Sequence, residues 1–125
     1  MTESITKNQL HFNFSEKDIN KKLYFLNENK EMIKNEFLKP ILGRKQEFSE
    51  SFFSDLFLET EKIIVQMVEN GNKKNKYLRI DLTVAAALYI ACRKLTCCKS
   101  QRFISNIFNK SQSSIGRYLK NYRSV

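Results

Sequence analysis

Glycine occurs only three times and proline once in 125 residues. So few chain breakers leave too few tight turns for an all-β sandwich or barrel. They also leave no glycine-rich phosphate loop, since neither GxGxxG nor GxxxxGK[ST] occurs. Histidine is almost absent: His11 stands alone near the N-terminus, with no nucleophile or carboxylate beside it in a recognisable motif. No serine elbow, HExxH or paired-carboxylate pattern appears, so no catalytic centre and no enzymatic activity are expected. Cysteine is scarce and awkwardly placed at Cys92, Cys97 and Cys98. An odd count with two neighbours is a poor disulfide framework, and without CxxC it is a poor zinc site. Cys92 lies in an apolar run and reads as a small buried residue, and the thiols suit a reducing compartment. Long hydrophobic runs are missing as well. The first 15 residues lack the apolar core of a signal peptide, and the longest mostly apolar run is Leu82 to Cys92. That run is far short of the roughly 20 residues that span a bilayer. The chain is therefore read as soluble and intracellular, with no membrane partner, metal or cofactor.

Acidic residues are missing from one half. Residues 1–70 carry 10 Lys+Arg and 12 Asp+Glu, a net of −2. Residues 71–125 carry 12 Lys+Arg and one acid, Asp81, a net of +11. Such asymmetry points to a polyanionic partner for the second half, most often nucleic acid. A merely solvated basic face is the plainer alternative.

Hydrophobic residues are abundant, at 42%, and their periodicity is helical. Residues 1–28 read as a polar, partly flexible N-terminal arm, with a helical turn after Ser15 carrying Ile19, Leu23 and Leu26. Residues 29–125 read as one helical domain. Its first helix is expected from about Lys30 to Leu42, carrying Met32, Ile33, Phe37 and Ile41. Pro40 should end or kink that helix, because it has no N–H and disfavours helix at Lys39. Ser49 suits an N-cap, with Phe48 and Phe53 as a hydrophobic staple. Phe53, Leu56, Phe57, Thr60, Ile63, Ile64, Met67 and Val68 then repeat at helical spacing, and Gly71 suits the position after the helix. Asn72 to Arg79 reads as a loop in which Lys73, Lys74, Lys76 and Arg79 either grip phosphates or are simply solvated.

From Asp81, expected to cap it, to about Thr96 runs a helix apolar almost all round: Leu82, Val84, Ala85, Ala86, Ala87, Leu88, Tyr89, Ile90, Ala91, Cys92. A helix without a polar face is buried on most sides, and alanines let neighbours approach closely. This is the expected centre of a bundle. Arg93 after it is either an exposed end or a paired arginine tying helices together.

Two short helices close the chain. Ser100 caps one, with Phe103, Ile104, Ile107 and Phe108 as its apolar face. A turn at Asn109-Lys110 follows, and Ser111 caps the other, with Ile115, Leu119 and Tyr122 inward. Short helices joined by a short turn are the helix-turn-helix arrangement. On the last helix Arg117, Lys120 and Arg123 form a basic ridge. Lys110 precedes its first turn, which offers Ser111, Gln112 and Ser113, and Arg102 on the preceding helix lies near. In helix-turn-helix readers the N-terminal residues of the second helix meet base edges, and Gln can read adenine bidentately. Gly116 costs about 1 kcal/mol in a helix interior relative to Ala, which suggests close approach of another helix or of DNA.

The string Ala86-Ala87-Leu88-Tyr89-Ile90-Ala91-Cys92-Arg93 resembles the third-helix signature of the first cyclin-like repeat of transcription factor IIB and its archaeal relative. Arg102-Phe103-Ile104-Ser105 falls where that family has its fourth helix. Ser111 with Ile115-Gly116-Arg117 and Lys120 resembles its fifth-helix motif. Order and spacing match over about residues 47 to 123. The resemblance implies an all-α, cyclin-like five-helix bundle around a buried central helix, ending in a helix-turn-helix-like pair. It also implies a transcription initiation role in the nucleus. The family's core binds double-stranded promoter DNA and the TATA-binding protein and helps recruit RNA polymerase. The family positions carried over are Arg102, Ser111, Arg117 and Lys120. Two departures accompany them: the chain shows no zinc-ribbon pattern and one cyclin-like repeat where the family usually has two. The alternative is a cyclin-like protein-interaction module that docks a kinase or polymerase subunit without touching DNA. The charge asymmetry distinguishes the two readings, since kinase docking has no evident need for a basic fifth helix.

Overall fold

The computed structural model describes residues 2–39, 49–73, 78–95 and 100–123. Those residues form five helices and no strand, in the order α1 (Thr2–Leu38), α2 (Glu50–Lys73), α3 (Ile80–Lys94), α4 (Gln101–Phe108) and α5 (Gln112–Arg123). The architecture is all-α.

α1 differs from the expected arm followed by a separate helix starting near Lys30. It is one uninterrupted helix through that boundary. The reason lies in the stripe that it buries. Asp18, Lys22, Leu26, Ile33 and Phe37 are buried, with Ile19 and Leu23 half-buried beside them. Asp18 and Lys22 are the polar members of that stripe. They pair with each other at 2.6 Å, so the stripe continues through them. α1 stops at Leu38 rather than Leu42, two residues before Pro40, as the steric bias before proline requires.

α2 begins where its cap predicts: Ser49 Oγ accepts the Phe52 N–H at 3.1 Å. Phe48, the other half of the expected staple, lies outside the described residues. The stripe from Phe53 to Val68 is buried throughout, and the Thr60 hydroxyl donates to the Leu56 carbonyl at 2.7 Å. Gly71 does not end the helix, which continues to Lys73. Asn70 and Gly71 are buried, and tertiary packing overrides a weak local stop signal there.

α3 is the centre of the bundle and packs against all four other helices. Val84 to Leu88, Ala91 and Cys92 are fully buried. The expected Asp81 cap is corrected by two residues. Arg79 is the N-cap and makes no side-chain cap bond, while Asp81 sits in the first turn with Oδ1 accepting the Leu82 N–H at 2.8 Å. The helix closes at Lys94, just short of the expected end. Arg93 is exposed, and its guanidinium donates to the Tyr89 hydroxyl at 3.2 Å, so it bridges one turn of α3 rather than two helices.

The last two helices form as their caps dictate. Ser100 Oγ accepts the Phe103 N–H at 3.1 Å, and Ser111 Oγ accepts the Ser114 N–H at 3.1 Å. Between them Asn109 adopts a left-handed conformation (φ 55°), and the Lys110 N–H bonds the Ser105 carbonyl at 3.0 Å. This is the Schellman arrangement, with Asn tolerating the positive φ. Aromatic contacts seal the end of the bundle near α4. Phe37 meets Phe53 and Phe103 edge-on at 5.9 and 5.1 Å, and Phe25 stacks on Phe108 at 6.2 Å.

Candidate nucleic-acid interface

α5 is amphipathic in the way that the helix-turn-helix reading requires. Ile115 and Leu119 are buried, and Tyr118 and Tyr122 are half-buried against the bundle. On the opposite side Gln112, Ser113, Arg117 and Lys120 are exposed. Ser113, Arg117 and Lys120 stand at i, i+4 and i+7, one stripe of a helix surface. Arg102 is exposed on α4, the helix before the turn.

Two expected contact residues have other employment. Ser111 spends its oxygen on the helix cap, and its hydroxyl also lies 2.8 Å from Ser114 Oγ, so it shapes the first turn rather than reaching outward. Lys110 is half-buried, and its Nζ contacts Asp81 Oδ2 at 2.8 Å. Lys74 and Lys76 lie outside the described residues, as do the side chains of Lys73, the last residue of α2, and Arg123, the last of α5.

The tertiary structure adds Asp81, which sequence pattern left out of the site, and joins to it Arg79 from the expected phosphate-gripping loop. α3 and α5 run side by side in the same direction. Lys110 meets Asp81 at one end, and at the other the Lys94 ammonium lies 5.3 Å over the Tyr122 ring. The starts of both helices therefore share one end of the bundle. There the Arg79 N–H donates to the Tyr118 hydroxyl at 3.0 Å, and the Arg79 guanidinium lies 3.5 Å from Asp81 Oδ2. Partial burial pushes the Asp81 carboxyl pKa up. The Lys110 ammonium, the Leu82 N–H and the charges of Lys110 and Arg79 outweigh that and hold it below the ordinary carboxylate value. The lone acid of the basic half was visible in sequence, but its two cationic partners were not.

Gly116 is not crowded. A Cβ built there would come no closer than 4.0 Å to a neighbouring atom, Gln101 Oε1, which is ordinary contact. The close helix approach expected from this glycine is absent among the described residues. Gly116→Ala should therefore raise stability by about 1 kcal/mol, read from denaturant unfolding. If duplex DNA approaches the α5 backbone at this point, the same variant should bind DNA more weakly despite its greater stability.

A concave feature lies between α1 and α2. It is a cleft of about 450 Å³ with Phe53 and Phe57 in its lining and Leu58 exposed at its edge. Its charges are mixed and paired. Lys30 lies 3.6 Å from Glu61 and Lys34 lies 3.2 Å from Glu50, and their ammoniums sit over Phe57 and Phe53. Two lysines and three glutamates line it, so it carries no excess of positive charge.

Among the described residues, no group of three or more His, Cys, Asp or Glu is placed to hold a metal ion. No helix among them is long and apolar enough to cross a membrane. No protein-family model, no curated protein and no solved structure matches this chain.

Proposed function

We propose that the chain is a transcription initiation module of the transcription factor IIB type, a cyclin-like helical repeat that binds promoter DNA and the TATA-binding protein and helps recruit RNA polymerase. In a nucleated cell its place of action is the nucleus. One observation carries the reading: α5, capped by Ser111 after a tight turn from α4, holds Ile115 and Leu119 in the core while exposing Gln112, Ser113, Arg117 and Lys120. Exposed cations along a helix that starts with polar side chains match the docking of a second helix into a major groove. The +11 charge of residues 71–125 supplies the attraction for a phosphate backbone. The buried α3 and the α4–α5 pair support the cyclin-like arrangement, with the alanine-rich string lying where close packing needs small side chains. No catalytic role is proposed.

The test is a gel shift on promoter DNA, with and without the TATA-binding protein. A shift at low salt that weakens steeply with added salt is expected, together with a slower-moving complex when the TATA-binding protein is present. Absence of any duplex binding at low salt, alone or with that partner, sinks the reading.

The α1–α2 cleft favours a second reading, a module that docks a protein partner without touching DNA. Leu58, exposed beside two phenylalanines, is its anchor. Recovery of a kinase or polymerase subunit in a pulldown, abolished by Leu58→Asp and accompanied by no DNA binding, would favour that alternative.

A further inference from the structure

We propose that Asp81 is an internal counter-anion that occupies a phosphate site between Arg79 and Lys110 and restrains the affinity of this end of the bundle for a nucleic-acid backbone. The inference rests on the reading of α5 as a nucleic-acid-facing helix. Asp81 Oδ2 is shared by two cations from separate segments, Lys110 Nζ at 2.8 Å and the Arg79 guanidinium at 3.5 Å. Both cations keep unspent hydrogen-bond capacity, since an ammonium has three donors and a guanidinium five. Arg79 is 59% exposed along its side chain, and Lys110 and Asp81 are 29% and 24% exposed, so the cluster is open to solvent. It lies at the turn that leads into α5, next to the exposed Gln112 and Ser113.

A backbone phosphate approaching α5 at its N-terminal end meets cations that already hold an anion. A partly exposed ion pair is weak, so exchange of carboxylate for phosphodiester is easy. Asp81 does not lose every partner in that exchange. Its Oδ1 retains the Leu82 N–H, so the carboxylate keeps a hydrogen bond at the start of α3 while Lys110 and Arg79 turn to the phosphate. As the single acid among residues 71–125, Asp81 has an effect on this surface that no neighbour in that half duplicates.

The experiment is salt-dependent binding of a short duplex by the intact chain, with Asp81→Asn tested beside Asp55→Asn. Asp55 is exposed on α2 and its replacement adds the same unit charge away from the cluster. Asp81→Asn should bind about threefold tighter at low salt, because the phosphate then reaches Lys110 and Arg79 without displacing a carboxylate. Asp55→Asn should gain less, and the gain should vanish in Asp81→Asn/Lys110→Gln. Equal or weaker binding by Asp81→Asn, or an equal gain from Asp55→Asn, overturns the proposal. If Asp81→Asn does not fold, the wild-type chain decides. The Asp81 side-chain carboxyl resonance should move on titration with duplex, and a resonance that stays put overturns the proposal. Inorganic pyrophosphate separates the two readings. If no variant binds duplex, the promoter-binding function falls, and the exchange site stands or falls on whether Asp81→Asn binds pyrophosphate tighter than wild type.

Discussion

Asp18→Ala is expected to lower folding stability by about 3 kcal/mol, or the melting temperature by about 10 °C, although it removes a single short polar side chain. Its partner Lys22 is fully buried, and the pair closes at 2.6 Å within one turn of α1. Burial pushes the Lys22 pKa down. The hydrogen bond and charge of Asp18 work against that, and the neighbouring Lys21 adds to it. Without the carboxylate the buried ammonium loses the counter-charge 2.6 Å away, and removing one partner of a buried ion pair is strongly destabilising. Replacing both partners, in Asp18→Leu/Lys22→Met, removes both charges at once and should cost less than Asp18→Ala alone. The pH dependence has a definite sign. A lysine whose pKa is depressed on folding binds fewer protons in the folded than in the unfolded chain, so its destabilising contribution shrinks as pH rises toward the ordinary lysine value. The deficit of Asp18→Ala should therefore narrow in alkaline buffer. Denaturant unfolding at neutral and alkaline pH measures both effects. A deficit below about 0.5 kcal/mol, the range of an ordinary surface substitution, would contradict the buried-pair account.

Replacing Arg117 and Lys120 together with alanine should weaken duplex binding about tenfold or more at low salt and flatten the salt slope by about two units. Both residues are exposed on α5 and stand on the stripe that begins at Ser113. Each phosphate contact that disappears releases about one counterion fewer on binding, which is why slope and affinity should fall together. Stability should change by less than about 0.5 kcal/mol, the range of surface substitutions, because both side chains are exposed. Fluorescence anisotropy across a salt series, paired with thermal unfolding, separates the two quantities. An unchanged slope with intact folding would show that the ridge does not face the duplex.

Much of the local architecture was legible before any coordinates. The serines at 49, 100 and 111 mark three helix starts, and each makes its cap bond to the N–H three residues on. Pro40 marks the end of α1 within a few residues, because its steric effect acts on its immediate neighbours. The stripe of α2 and the all-round apolar surface of α3 identify the core, and the same residues are buried. These signals share a short range. A cap, a proline or a helical stripe is written within a few residues and needs no knowledge of what lies across the bundle.

The failures also share a cause. Residues 1–28 read as a polar arm with one helical turn because polarity alone says nothing about pairing, and the Asp18–Lys22 pair lets the buried stripe of α1 run through that stretch. Gly71 reads as a stop because glycine is weak in a helix, yet buried neighbours carry α2 past it.

By itself, then, the sequence determined an all-helical chain, the serine-capped starts of three helices, the identity of the buried central helix and the concentration of positive charge in residues 71–125. Only the tertiary structure decided that α3 and α5 lie in parallel, so that Asp81, Arg79, Lys110 and Tyr118 meet at one end. Residues 81 and 110 lie on different elements, and no local periodicity relates them. Their meeting follows from how the apolar faces of α3 and α5 pack, which is a property of the whole core.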